Sequence, residues 1–228
     1  TVRATEMWGI ALAISALGVA ILGPILGAAV DAGMQRKPWL LGTTVLMVLT
    51  CAGLWFATPD QDSIWLVLTL VALGNFGFEL GMVFYNAMLP VLAERGRLGR
   101  VSGWAWALGY AGGLACLTVA LFVLIRAEPP PFGLDSAAQE PVRAVALLVA
   151  LWLVLFGWPL FVFTSEISGE ALPVGAALRK GIATLVGTLR NIRSHAQIVR
   201  FLLARMLYID GLNTLFAFGG IYAAGTFG

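Results

Sequence analysis

Apolar residues run along this chain in long unbroken blocks, with most of the charged positions crowded between them. A helix needs about 20 such residues to cross the hydrocarbon core of a bilayer. Six blocks qualify: Trp8 to Val30, Trp39 to Thr58, Ile64 to about Met88, Val101 to Ile125, Val142 to Thr164, and about Phe201 to Ala224. None shows the apolar–polar alternation of a barrel strand. In hydrocarbon every backbone N–H and C=O must find its partner within the segment, so blocks of this kind are helices. The predicted fold class is all-α, a polytopic transmembrane helix bundle.

Composition points the same way. Apolar residues make up 60% of the chain and charged ones 11%, with a mean hydropathy of +0.90. A soluble domain carries roughly 25% charged residues because its surface faces water. The net charge is +2, without a basic or acidic tail, so no nucleic-acid partner is expected. Cys51 and Cys116 lie inside apolar blocks. They read as small core residues, not as a disulfide framework or a zinc site. No metal and no cofactor is expected.

Lys and Arg set the orientation. Arg36 and Lys37 follow the first block, Arg95, Arg97 and Arg100 the third, and Arg179, Lys180, Arg190, Arg193 and Arg200 the fifth. The opposite connections hold Asp60 and Asp62 and a Pro-rich stretch from Arg126 to Pro141, with Arg143 at its margin. The basic side is therefore predicted to be cytoplasmic, which puts the start of the chain outside. No signal peptide opens the chain: Arg3 and Glu6 precede a block too long for a signal h-region. At least one preceding helix is expected, more after Gly228, and no transport by this chain alone.

Residues 166–199 separate the first five spans (residues 1–165) from the last (residues 200–228). Within them Leu178, Ile182, Leu185, Leu189 and Ile192 recur at helical spacing, and Arg179, Arg190 and Arg193 fall off that stripe. The pattern predicts a basic amphipathic helix at a membrane interface, either a covering linker or a lipid-sensing element. Small residues four apart, Gly23 and Gly27, Gly77 and Gly81, and Gly109 and Gly113, allow helix backbones to approach closely. Pro24 and Pro159 lie inside spans and are expected to kink them.

Three strings carry a family resemblance. Gly27-Ala-Ala-Val-Asp31-Ala-Gly33-Met-Gln-Arg36-Lys37 closes the first span and resembles the loop motif between helices two and three of the major facilitator superfamily. Phe84-Tyr85-Asn86-Ala87-Met88-Leu89-Pro90, followed by Arg100 to Gly113, looks like the vacuole effluxer (unknown major facilitator) branch of that superfamily. Leu203 to Gly211, with Arg205, Tyr208 and Asp210, resembles the same branch.

The resemblance covers nearly the whole chain and implies helices two to seven of a twelve-helix fold. It implies secondary transport by alternating access, with efflux of amino acids as the eukaryotic theme. The membrane would be the inner membrane of a bacterium or the vacuolar membrane of a eukaryote. Gly27, Asp31, Gly33, Arg36 and Lys37 would form the gating motif, although Ala32 stands where the motif usually has a basic residue. Gly109, Tyr110, Gly112 and Gly113 are read as a helix-packing face. Tyr110 replaces the Pro of the family's antiporter motif, so antiport is not inferred.

Ionisable groups inside spans cost roughly 2.5–3.5 kcal/mol on insertion scales and ask for a reason. Glu79 lies near the middle of its span, and Asn75 and Asn86 fall on its helical face. The stripe is expected to face the bundle interior. Glu79 is either a proton-coupling or substrate-binding carboxylate, or a protonated group hydrogen-bonded between helices. Asp210, with Asn213 and Thr214 on its face and Arg205 nearby, is the second candidate. Asp31, at a membrane edge, is either a latch for one access state or an ordinary turn residue. Trp104, Trp106 and Tyr110 either stack on a ligand or pack.

The partners expected are the lipid bilayer, a small-molecule solute, protons as candidate coupling ion, and the remaining helices of the parent transporter. A membrane assembly or channel subunit is the alternative. An intramembrane enzyme lacks equipment, since the chain has no His-Glu-x-x-His, no Gly-x-Ser-x-Gly and no adjacent carboxylate pair in a span.

Overall fold

The computed structural model describes residues 2–59, 63–94, 96–164, 172–192 and 196–227. Asp60, Asp62, Arg95, Arg193 and His195 lie outside the described residues. The helices are α1 (Val2–Asp31), α2 (Lys37–Gly53), α3 (Ile64–Leu92), α4 (Leu98–Val119), α5 (Glu140–Phe163), α6 (Val174–Arg190) and α7 (Ala196–Phe227). All but α6 give a stretch long and apolar enough to cross a membrane, α2 together with the short 3-10 turn Leu54–Phe56 that continues it. The protein is thus a polytopic helical membrane protein. A π-helical turn, Ala120–Ile125, extends α4 and closes with Arg126 N–H donating to the Leu121 carbonyl.

Helix starts and stops have local causes. Pro38 occupies the first turn of α2 and Pro141 that of α5, where a missing N–H costs no helical hydrogen bond. The end of α1 is a Schellman cap. Met34 N–H donates to Ala29 O at 3.0 Å and Gly33 N–H to Val30 O at 3.1 Å, with Gly33 at φ 118°. That conformation suits only glycine, which accounts for Gly33 in the motif. Met34 and Ala29 then meet in the core, the apolar contact that accompanies such caps. α1 continues as helix through Pro24 and α5 through Pro159.

The chain divides into two compact units, residues 1–182 and 183–228. In the first, α3 packs against both α1 and α2, and α2 packs in turn on α5. Small residues set these distances. A Cβ built on Gly77 would lie 3.3 Å from Leu46, from Met47 and from the Thr43 carbonyl, and one on Gly81 3.2 Å from the Thr43 hydroxyl. One on Gly74 would lie 3.0 Å from the Thr50 hydroxyl, and one on Gly18 3.1 Å from the Phe76 ring. Gly23 and Gly27 face Val83 at ordinary contact distance. In the absence of a hydrophobic drive between helices in lipid, such close approach supplies the dispersion contacts that hold them.

The core gathers at one end of this unit around Phe84 and Val30, both fully buried, with Ala29, Met34, Leu40, Leu80, Met88 and Ala177. Trp39 stacks on Phe84, ring centroids 6.1 Å apart. Ala177 belongs to α6, whose contact differs from the stripe expected from sequence. The residues that dock are Ala177 and Gly181: a Cβ on Gly181 would fall 2.6–2.7 Å from the backbone of Ala28 and Ala29. Leu172 N–H donates to the Gly33 carbonyl at 3.1 Å, pinning the approach to α6 onto the cap of α1. Leu178 packs on the core, whereas Ile182, Leu189 and Ile192 of the apolar stripe are exposed. Two small residues permit a tighter helix crossing than the bulky stripe beside them.

The second unit consists of the end of α6 and the long helix α7.

Candidate functional site

Polar chemistry inside the first unit centres on α3. Asn75 donates from its side-chain amide to the Ser15 hydroxyl at 3.0 Å, joining α3 to α1, and Ser15 is buried. Glu79, one turn further along α3, is half-buried and makes no hydrogen bond or ion pair among the described residues. Asn86 is exposed. Among the described residues the three members of the expected stripe have different surroundings: Asn75 is bonded to α1, Glu79 has no hydrogen-bond or ion-pair partner, and Asn86 is exposed. Ser15 was not a candidate from sequence. A lone serine in an apolar block was the signal, and only helix register gives it a partner.

The motif at the end of α1 resolves into separate tasks. Gly27 lies against Val83, and Gly33 forms the cap. Lys37 donates to the carbonyl of Phe161 at 3.1 Å and to that of Thr164, at the C-terminal end of α5. Those carbonyls lie at the end of a helix, where the backbone ladder runs out and a cation is favourable. Arg36 is half-buried. Asp31 is exposed and forms no hydrogen bond or ion pair among the described residues. A carboxylate in the last turn of a helix meets the negative end of the dipole, which is unfavourable without a cationic partner.

α4 presents a different surface. A Cβ built on Gly109, Gly112 or Gly113 has nothing within 4 Å among the described residues. Gly109, Tyr110 and Gly113 line, with Phe78, Met82, Tyr85 and Trp106, an apolar groove of about 520 Å³ between α3 and α4. The Trp106 and Tyr110 rings meet at 5.8 Å, and Trp104, Trp106 and Tyr110 are all exposed. Among the described residues these glycines pack against no neighbouring helix.

In the second unit, Arg205, Asp210 and Asn213 line a groove of about 480 Å³ along α7 with Leu202, Met206 and Ile209. The Thr214 hydroxyl donates to the Asp210 carbonyl at 2.9 Å, so it serves the backbone rather than the Asp210 side chain. Arg205 and Asp210 form no ion pair among the described residues. No group of His, Cys, Asp and Glu that could hold a metal ion occurs among the described residues.

Comparison with known proteins agrees with the resemblance seen in the sequence. The chain is 28% identical over 229 residues to an uncharacterized MFS-type transporter, YxiO, of Bacillus subtilis (strain 168), covering 97% of this chain and 51% of that protein. It is 24% identical over 233 residues to autophagy-related protein 22 of Pichia angusta, covering 83% of this chain and 41% of that protein. It thus spans about half the length of the curated relatives it matches. No solved structure matches. The sequence family described as vacuole effluxer Atg22 like matches over residues 2–98 and 94–228. With nearly every residue inside those two matches, the chain belongs to the vacuole effluxer Atg22-like family.

Proposed function

We infer that this chain forms part of a secondary transporter that moves small solutes, amino acids among them, across a membrane by alternating access. On this reading residues 1–165 supply helices two to six of a twelve-helix fold. Residues 166–199 form the linker on the cytoplasmic side, and residues 200–228 open the second half.

One observation carries the reading. Glu79 sits in the middle of a membrane-spanning helix, half-buried, with no group among the described residues to satisfy it. Such a group is expensive in the membrane and is retained where it takes part in a pathway for ions or solutes. Its neighbour Asn75 is anchored to α1 through Ser15, so the wall on which Glu79 stands is fixed. In this scheme Glu79 takes up and releases the coupling proton or binds the solute's charged group. Arg205 and Asp210 supply a second charged site on α7, and Asp31 serves as a latch for one access state. The family's description as an effluxer, and a relative named as a transporter, support the class of activity.

The test is transport by the intact protein, at the length of its relatives, in proteoliposomes loaded with radiolabelled amino acids across a range of pH. Transport with a pH dependence that Glu79→Gln abolishes is the expected result. A pH dependence unchanged in that variant removes Glu79 from the mechanism. Absence of any solute movement favours the assembly or channel subunit.

A further inference from the structure

Helix α6 docks through its smallest residues and leaves its largest apolar ones uncovered. At the helical turn of about 100° per residue, Leu178, Ile182, Leu185, Val186 and Leu189 fall within an arc of about 100°. Gly181 and Ala177, which pack against the end of α1, lie about 40° and about 80° beyond one rim of that arc. Arg179 and Arg190 lie just beyond the other rim, and both are exposed. Along the arc Ile182 is 43% exposed, Val186 41% and Leu189 55%. The helix contains no acidic residue.

Height fixes the environment of this face. Gly181 sits against Ala28, in the last turn of a helix that crosses the membrane, so the part of α6 up to Ile182, within the first unit, is held where the hydrocarbon gives way to headgroups. An apolar arc with two arginines along its rim matches that boundary: the side chains enter the acyl region while the guanidinium groups reach phosphates. Guanidinium pairs with phosphate through charge-assisted, often bidentate hydrogen bonds. Anionic headgroups add a net attraction that zwitterionic ones lack.

We propose that α6 is a binding surface for anionic phospholipid, with Ile182, Val186 and Leu189 seated among acyl chains and Arg179 and Arg190 on the headgroup phosphates.

The experiment uses the protein with Cys51→Ala and Cys116→Ala, labelled with bimane at Leu189→Cys, or at Gly187→Cys on the opposite face as control. It is reconstituted in phosphatidylcholine vesicles containing phosphatidylglycerol, with bromines on the acyl chains of one lipid or the other. Bromolipid should quench the label at position 189 several-fold more than at 187. Brominated phosphatidylglycerol should be preferred over brominated phosphatidylcholine by up to about five-fold for each arginine. Arg179→Gln with Arg190→Gln should remove that preference while leaving quenching by brominated phosphatidylcholine in place. Three results overturn the proposal: equal quenching by both lipids in the parent protein, stronger quenching of position 189 by aqueous iodide than by bromolipid, or quenching by neither. The second would make the face a solvated surface, and the third would place a protein segment over it.

Discussion

The ammonium of Lys37, in the first turn of α2, lies 3.1 Å from the carbonyl oxygen of Phe161, at the end of α5. The same ammonium reaches the Thr164 carbonyl. At the opposite ends of these two helices the relation is repeated in reverse. Arg143, in the first turn of α5, donates from Nε to the Trp55 carbonyl at 2.7 Å, where α2 has passed into its closing turn, and its guanidinium stands 4.9 Å from the centre of the Trp55 ring. Each helix thus lends a cation from its start to carbonyls at the end of the other. Two antiparallel spans are clamped at both membrane faces.

The clamp should be measurable. Lys37→Met keeps the apolar stem and removes the donor, leaving the end carbonyls of α5 without it. Hydrogen bonds involving a charged group contribute roughly 1.5–3 kcal/mol. Lys37→Met and Arg143→Met are each expected to cost about that much in reversible unfolding from mixed micelles. As the two ends share no partner, the double variant should be close to additive.

Among the glycines of the described residues, Gly181 makes the tightest approach. Gly181→Ala puts a methyl group 2.6–2.7 Å from backbone atoms of α1, which no side-chain adjustment relieves. Overpacking of this kind costs about 1–3 kcal/mol. Amide hydrogen exchange should rise along α6 and at Leu172, with α3 unchanged. Exchange at parent rates throughout would mean that α6 does not dock there.

The glycines of α3 and α4 should behave differently. Gly77→Val meets Leu46, Met47 and the Thr43 carbonyl and is expected to lower stability by about 2 kcal/mol or more. Gly109→Ala and Gly113→Ala meet nothing among the described residues and should leave unfolding unchanged, or raise stability slightly through helix propensity. If the proposed transporter packs a further helix on this face, the same two substitutions should reduce transport by the full-length protein while leaving the unfolding of this chain as it is. Thermal unfolding and uptake assays separate the two effects.

The Ser15–Asn75 bond is a local tie, and its strength is bounded. Polar pairs between membrane helices average about 0.6 kcal/mol in double-mutant cycles. A cycle of Ser15→Ala and Asn75→Ala should return a coupling energy of that size. On the role proposed for Glu79, either substitution should also alter the pH dependence of transport by loosening the wall that carries it. Zero coupling would separate Asn75 from α1.

Much of this molecule can be read from one dimension. Backbone pairing in hydrocarbon and the thickness of a bilayer depend only on runs of residues, so the six spans and the helical class were visible as apolar blocks. Turn chemistry is equally local: Gly33 stands at the position where a left-handed cap follows a helix. The amphipathic helix also showed itself, because its period is a property of consecutive residues.

Choice of partner is another matter. Lys37 and Phe161 lie 124 positions apart, and Ser15 and Asn75 lie 60 apart. No period along the chain relates them. Whether they meet depends on how far each helix is rotated and slid against its neighbour, which small residues at crossing points decide together. For that reason Lys37 reads as part of a motif in sequence but acts as a helix cap in the fold. Likewise Gly77 and Gly109 look equivalent on paper, yet one is packed and the other open. The apolar stripe of α6 was legible, but its docking through Ala177 and Gly181 was fixed by the backbone of Ala28, a surface that only the tertiary structure brings to it.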